Sequence, residues 1–232
     1  MGWEELCSKR ALLVIIVWIW MFLGSIGTIA LIAYVKGVPL VFEQIINMLS
    51  NEPYLASYGE VVGVGGLPLI ITMLCKDGLK MYGLRREKLV RSILLSIPLI
   101  AVIFALRITL GDMEFEKFSL QFPYNIWYAI LGALAYGPLE VFFITWLIVN
   151  TDYIFNGLSK TISPGLLVTV LFFGLSHIVL SPQGGIMNAI RVSIYFLILG
   201  SIFKYTKNSV GPIIAWTLIN GQVLYLTIGC LT

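Results

Sequence analysis

The chain has 232 residues, of which 59% are hydrophobic and 12% are charged, and its mean hydropathy is +0.94. A soluble domain carries about 25% charged residues, and a water-soluble fold of this size would leave about a third of its unfolded surface exposed. The composition therefore excludes an ordinary soluble enzyme, a disordered chain and a nucleic-acid-binding module. It predicts an all-α, polytopic membrane helical bundle that forms one domain over residues 1–232.

Seven apolar runs predict about seven transmembrane helices, because lipid offers no partner to an unpaired backbone group. These runs cover residues 11–35, 56–75, 92–110, 126–149, 162–180, 186–203 and 210–231. The first run is too long for a signal-peptide core and is expected to be an uncleaved anchor. The second contains Gly63, Gly65, Gly66 and Pro68, so we expect it to be bent.

The loop charges predict the orientation. With seven spans, eleven basic residues fall on the side of the N-terminus, against Lys36 and Lys117 on the other. The positive-inside rule then predicts a cytoplasmic N-terminus in a multi-pass protein of the cell membrane. The same rule explains the net charge of +3 without nucleic acid. On the outer side, residues 37–55 are expected to include an interfacial helix, with Ile45 and Leu49 on its apolar face.

The spacing of the cysteines indicates neither a disulfide framework nor a metal site. Cys7, Cys75 and Cys230 form neither a C-x-x-C pair nor an even set at close spacing. We therefore expect packing thiols, with neither a disulfide nor a thiolate metal site.

Glu140 is the most informative polar residue, because a charge at the bilayer centre costs roughly 2.5–3.5 kcal/mol. It lies about 14 Å along the helix from Asn150, near the cytoplasmic end of the fourth run. Small residues, Gly137 among them, recur every fourth position before it and allow a neighbouring helix to approach closely. We expect the carboxyl to face that helix. The alternative is a protonated, purely structural glutamate.

Two further polar sites lie in later runs. His177 is the single histidine of the chain and follows Phe173 by four residues. Taken alone, a single His on an apolar helix is more often a hydrogen-bonded packing residue than a catalytic one. Asn220 follows Trp216 by four residues, so the amide and the indole share one helix face. Taken alone, these two residues are consistent with helix packing.

In this order, the three sites resemble the CPBP family of intramembrane proteases (CAAX proteases and bacteriocin-processing enzymes, including the type II CAAX prenyl endopeptidases). The family's motifs are Glu-Glu-x-x-x-Arg, Phe-x-x-x-His and His-x-x-x-Asn/Asp. Phe173-x-x-x-His177 matches the second in full. Trp216-x-x-x-Asn220 matches the third at its last position, and Glu140 matches one glutamate of the first.

The resemblance covers about residues 80–225 and implies an endopeptidase that opens to the cytoplasm, either as a metalloprotease or through a glutamate mechanism. Val141 and Thr145 stand where the family has its second Glu and its Arg. Zinc usually takes three protein ligands at a catalytic site, and the indole in the third motif has no lone pair to give. Zinc is therefore disfavoured, and if any metal binds, Glu140 and His177 are its ligands.

The resemblance implies catalytic roles for Glu140, His177, Asn220 and Trp216. Glu140 would take a proton from a water that His177 positions, while Asn220 and Trp216 would donate into an oxyanion hole. No cofactor is expected, and the partners are membrane lipid and a membrane-embedded or lipidated peptide. One alternative is a catalytically inactive homologue that binds a membrane partner. A small transporter is less favoured, since no repeat and no paired broken helices are evident.

Overall fold

The computed structural model describes residues 3–110, 122–180 and 185–220, and this part of the chain is helical without a strand. The all-α prediction is confirmed. The helices are α1 (Trp3–Ser8), α2 (Arg10–Val35), α3 (Phe42–Asn51), α4 (Tyr54–Glu60), α5 (Leu67–Leu74), α6 (Leu89–Leu110), α7 (Tyr124–Leu134), α8 (Glu140–Ile154), α9 (Pro164–Leu180), α10 (Gly185–Thr206) and α11 (Val210–Ile219). A short 3₁₀ turn covers Leu79–Tyr82.

Within the described ranges, five helical stretches are long and apolar enough to cross a membrane. They are Arg10–Val35, Tyr54–Leu74, Leu89–Leu110, Tyr124–Ile154 and Gly185–Thr206. The chain is accordingly a membrane protein by composition and helix length. The shorter α9 and α11 correspond to the fifth and seventh predicted runs. Seven spans and a cytoplasmic N-terminus stay predictions, since the last run continues beyond residue 220, outside the described part.

Two of the five stretches contain π-helical segments. Val61–Gly66 joins α4 to α5, and Ala135–Leu139 joins α7 to α8. The first coincides with the glycines expected to bend the second run. The second contains Pro138, which cannot donate a backbone hydrogen bond. Such segments are rare and occur often at functional sites.

The helices group into two compact units. The first takes its described residues from Met1–Trp18, Pro68–Ser96 and Val141–Pro212. The second takes them from Ile19–Leu67, Ile97–Glu140 and Ile213–Thr232. The single-domain organisation stays a prediction.

A buried ion pair organises one end of the first unit. Lys204 is 4% exposed and donates to Asp152, which is fully buried. Asp152 also accepts from Ser163 Oγ at 2.7 Å and from the backbone N–H of Gly165 at 2.8 Å, in the first turn of α9. Because every partner is a donor, this carboxylate is satisfied, and it anchors α9 to α8 and α10.

A second polar cluster in the first unit lies between the start of α2 and the 3₁₀ turn. Arg10 donates to both carboxylate oxygens of Asp77, at 2.6 and 2.8 Å, and the Tyr82 hydroxyl donates to Asp77 at 2.6 Å. Burial alone would raise the pKa of Asp77, but these hydrogen bonds and the Arg10 charge hold it below its usual range. Burial and the bond to Asp77 raise the pKa of Tyr82 to about 12.

The prediction of packing thiols is wrong for two of the cysteines. Cys7 and Cys75 form a disulfide, with Cα atoms 5.5 Å apart and a sequence separation of 68. The pairing has no local sequence signal, because it depends on the fold placing α1 beside the end of α5. Cys230 lies outside the described residues.

In the second unit, α3 is the helix predicted within residues 37–55. Its Met48 packs against Ala33 and Leu55, with Ile45 and Leu49 partly buried beside it. The apolar face is therefore covered by protein over much of its length. An interfacial position for α3 stays a prediction.

Candidate active site

Glu140 begins α8 directly after the second π-helical segment, and it is 3% exposed. Its Oε2 accepts a hydrogen bond from Trp216 Nε1 at 2.7 Å. Asn220 Nδ2 lies 3.5 Å from the same oxygen, a weak contact. The sequence-based expectation that Glu140 faces a neighbouring helix is met, and that helix is α11.

Both residues on α11 approach Glu140 from one face, as their spacing predicts. Asn220 follows the last turn of α11, and its backbone N–H donates to the Trp216 carbonyl at 2.8 Å. The Asn220 amide also donates to the carbonyl of Tyr136 at 3.1 Å. That carbonyl belongs to the π-helical segment, so Asn220 joins α11 to both the carboxyl and the backbone before it.

A glycine makes this approach feasible. A Cβ built on Gly137 would lie 2.3 Å from Thr217 Oγ1, well inside van der Waals contact. Gly137 belongs to the predicted stripe of small residues, and the structure shows what the stripe accommodates. Any larger residue at 137 would push α11 and its two donors away from Glu140.

Sequence reasoning missed a second carboxyl group, that of Glu60. It ends α4 just before the first π-helical segment and is half-buried. The two π-helical segments contact each other, and a Cβ on Gly65 would meet Leu139 at 2.5 Å. Glu60 interacts electrostatically with Glu140 and with Tyr136. An acidic residue beside a glycine cluster in an apolar run was the available signal.

His177 lies in the first unit, in the last turn of α9. Its Nδ1 is 2.8 Å from the Phe173 carbonyl, and the two rings meet edge to face with centroids 4.8 Å apart. Phe173 is 3% exposed and also contacts Phe143 and Phe196. The Phe-x-x-x-His spacing thus fixes the ring orientation of His177 through Phe173. Its predicted partnership with Glu140 stays a prediction.

The donors on α11 are directed at the Glu140 carboxyl itself. The indole N–H is engaged at 2.7 Å, and the oxyanion roles of Trp216 and Asn220 stay predictions. Neither donor reaches Oε1 in the described residues. Oε2 of the Glu140 carboxyl is therefore held by α11.

The prediction that zinc is disfavoured stays a prediction. The neighbours of Glu140 on α11 present N–H hydrogens, and an N–H group repels a cation rather than ligating it. No group of three His, Cys, Asp or Glu side chains suited to a metal occurs among the described residues.

Comparison with known proteins gives no assignment: no protein-family model, no curated protein and no solved structure matches the chain.

Proposed function

We propose that the chain is a CPBP-like intramembrane endopeptidase in which Glu140 activates water. The observation that supports this most is the buried Glu140 carboxyl with Trp216 Nε1 bound to Oε2 at 2.7 Å. The indole N–H holds one oxygen of the carboxyl in place, so that the group approaches a bound water in one orientation. The chemistry is thus a base held in a fixed orientation at a buried position.

The reaction needs no group beyond the chain and water. Glu140 takes one proton from water as the water oxygen bonds to the scissile carbonyl carbon. The carbonyl oxygen gains the negative charge and then returns its electron pair as the C–N bond breaks. Glu140 gives its proton to the leaving amine, so one water yields one carboxyl and one amine product.

The remaining predicted residues keep subsidiary roles. Asn220 is the oxyanion donor, because its 3.5 Å contact with Glu140 is the weaker of the two and is the one that can be exchanged. Trp216 holds the base. His177 keeps the role that the resemblance gives it, which is to position water.

The substrate in this proposal is a membrane-embedded or lipidated peptide, and the chain is a multi-pass protein of the cell membrane with its N-terminus in the cytoplasm. The five apolar helical stretches support residence in a bilayer. A base within such a stretch reaches peptides that lie in the same bilayer.

The test compares wild type with Glu140→Gln in proteoliposomes. The substrates are a farnesylated Cys-a-a-X peptide and a panel of single-span peptides, followed by mass spectrometry. Loss of the base should reduce cleavage about 10²- to 10⁴-fold. Glu43→Gln, on the exposed face of α3, is the matched control. Equal cleavage by wild type and Glu140→Gln defeats the proposal, and an unchanged cellular role for Glu140→Gln favours the inactive homologue.

One observation favours a second candidate, a proton-coupled transporter. Two apolar stretches contain π-helical interruptions, each next to a carboxyl group, Glu60 or Glu140. Transporters often bind their substrate where helices are interrupted, and the sequence did not reveal this pair. Proton flux in proteoliposomes that is abolished by Glu60→Gln and by Glu140→Gln, without peptide cleavage, would select this candidate.

A further inference from the structure

Basic side chains of the first unit lie together at the ends of two apolar helices, α6 and α10. This region is remote in sequence from Glu140. The loop before α6 is joined to the loop after α10 by backbone and side-chain hydrogen bonds. Ser209 N–H donates to the Gly83 carbonyl at 2.9 Å. Asn208 Nδ2 donates to the carbonyls of Arg85, at 2.6 Å, and Glu87, at 3.0 Å.

Gly83 allows the two loops to approach each other closely. Its φ is +86°, and a Cβ there would lie 2.7 Å from both Ser209 N and Phe203 Cε2. The two loops are therefore fixed against each other rather than merely adjacent.

The junction brings like charges together. Arg85, Lys88 and Lys207 are close enough that the two neighbours help to lower the pKa of Lys207, after burial and the Lys204 charge. Lys207 Nζ donates to the Leu158 carbonyl at 2.7 Å, which holds it near the others. Lys88 and Lys207 both adopt left-handed backbone conformations, with φ of 55° and 57°.

The acidic groups nearby offset this cluster only in part, and the one that acts on Lys207 is Asp152. Asp152 is committed to Lys204, and Asp77 on the same unit is committed to Arg10. Glu87 is exposed, and its carboxylate forms no ion pair within 4 Å in the described residues. The cluster therefore carries an excess of positive charge.

Arg85 supplies an independent observation. Its Nε is buried and has no hydrogen-bond partner among the described residues. A guanidinium whose Nε is buried keeps its terminal N–H groups as the fork that matches phosphate oxygens.

The position of the cluster in the chain indicates which molecule would supply the phosphate oxygens. It lies between the start of α6 at Leu89 and the end of α10 at Thr206, where two candidate spans leave the bilayer. Beside it, the Arg91 guanidinium lies 4.6 Å over the ring of Tyr205, which is 49% exposed. Exposed tyrosines at the ends of spans are typical of the headgroup layer.

We propose that Arg85, Lys88 and Lys207 bind the phosphate group of an anionic lipid headgroup. The lipid phosphate offsets the repulsion among the three cations. Each basic residue next to a span raises the affinity for an anionic lipid about five-fold. This site is independent of the chemistry proposed for Glu140.

The experiment is native mass spectrometry of the full chain in detergent, with phosphatidylglycerol or phosphatidylcholine added. Wild type should retain phosphatidylglycerol in preference to phosphatidylcholine. Lys207→Gln and Lys88→Gln should each weaken that retention about five-fold, and Arg85→Gln at least as much. Lys80→Gln, a basic residue of the preceding 3₁₀ turn, is the matched control and should retain phosphatidylglycerol as wild type does.

The result that overturns the proposal is equal retention of phosphatidylglycerol by wild type and by the Lys88→Gln, Lys207→Gln double variant. Displacement of the lipid by inorganic phosphate at similar concentration overturns the lipid source and leaves a free-phosphate site. If Arg85→Gln fails to fold, the two lysine variants decide the question, with thermal unfolding in phosphatidylcholine micelles as the check that they are intact.

Discussion

Trp216 Nε1 donates to Glu140 Oε2 across 2.7 Å, linking α11 to the start of α8 within the second unit. Both side chains are buried, at 5% and 3% exposed. A hydrogen bond to a carboxylate in such surroundings contributes more than one between neutral groups. It therefore fixes the carboxyl as well as stabilising the packing of α11.

Trp216→Phe should destabilise the protein beyond the loss of ring volume. The change removes the donor and leaves a buried carboxyl without its shorter hydrogen bond, which costs about 1–3 kcal/mol. Trp146→Phe is a matched control, because Trp146 is fully buried and its Nε1 has no partner in the described residues. Thermal unfolding in one detergent measures both, and equal destabilisation would show that the bond to Glu140 contributes nothing.

Gly137→Ala should displace α11. The added methyl would meet Thr217 Oγ1 at 2.3 Å, and overpacking of this kind typically costs about 1–3 kcal/mol. Thr217→Ala in the same chain should restore part of the loss, because it removes the clashing hydroxyl.

The control for this pair is Gly27→Ala, where a Cβ would meet no atom within 4 Å. That change should be neutral or slightly stabilising, since alanine favours the helix. If Gly137→Ala unfolds at the wild-type temperature, the close approach of α11 is contradicted.

The sequence predicts those features of the site that depend on residues three or four positions apart on one helix. Trp216 and Asn220 are four residues apart, and Gly137 precedes Glu140 by three, so a regular helix places each pair on one face. Glu60 could not be joined to Glu140 from spacing, because the two belong to different helical stretches. Their proximity depends on contact between two π-helical segments, and the sequence shows only glycines and a proline there.

The same limit applies to the cysteines and the apolar runs. The hydropathy of α2 and α6 is sufficient to predict them, since the pattern is local. The Cys7–Cys75 disulfide is a contact across 68 residues, and no local pattern encodes it. The run at α9 is equally apolar, but the helix is shorter than α2 and α6, so its length alone does not predict a span.

Lys204→Met should destabilise the first unit strongly. It leaves the fully buried Asp152 carboxylate without its cation, and breaking such a pair typically costs about 3–5 kcal/mol. The double variant Asp152→Asn, Lys204→Met should recover much of that loss. Lys9→Met provides the contrast, because its partner Glu5 and Lys9 itself are exposed and such pairs contribute little. A double-mutant cycle by unfolding gives the coupling, and a small value would contradict a buried pair.

Asp77→Asn should change how stability depends on pH. The pKa of Asp77 is lowered in the folded state from a usual value of 3.8, so its charge contributes stability above that pH. The contribution is lost as the pH falls from about 4 through the lowered pKa. Unfolding measured from pH 7 downwards should therefore show a smaller acid-dependent loss in Asp77→Asn than in wild type. Superimposable pH profiles would show that Asp77 does not contribute to the pH dependence of stability.

Reduction of the disulfide should destabilise the protein by about 2–4 kcal/mol, since it releases α1 from the segment after α5. Wild type purified without reductant should unfold at a lower temperature once dithiothreitol is added, and Cys7→Ser should behave like the reduced protein. Cys230→Ser should keep the full response to dithiothreitol. No response in wild type would show that the two thiols are not joined.

The central claim, that the Glu140 carboxylate takes a proton from the water that attacks a peptide bond, is tested most directly by cleavage in heavy-oxygen water. With a peptide that wild type cleaves in proteoliposomes, the new carboxyl group should carry one heavy oxygen. Glu140→Gln should form labelled product about 10²- to 10⁴-fold more slowly. Labelled product formed at the wild-type rate by Glu140→Gln would contradict the account.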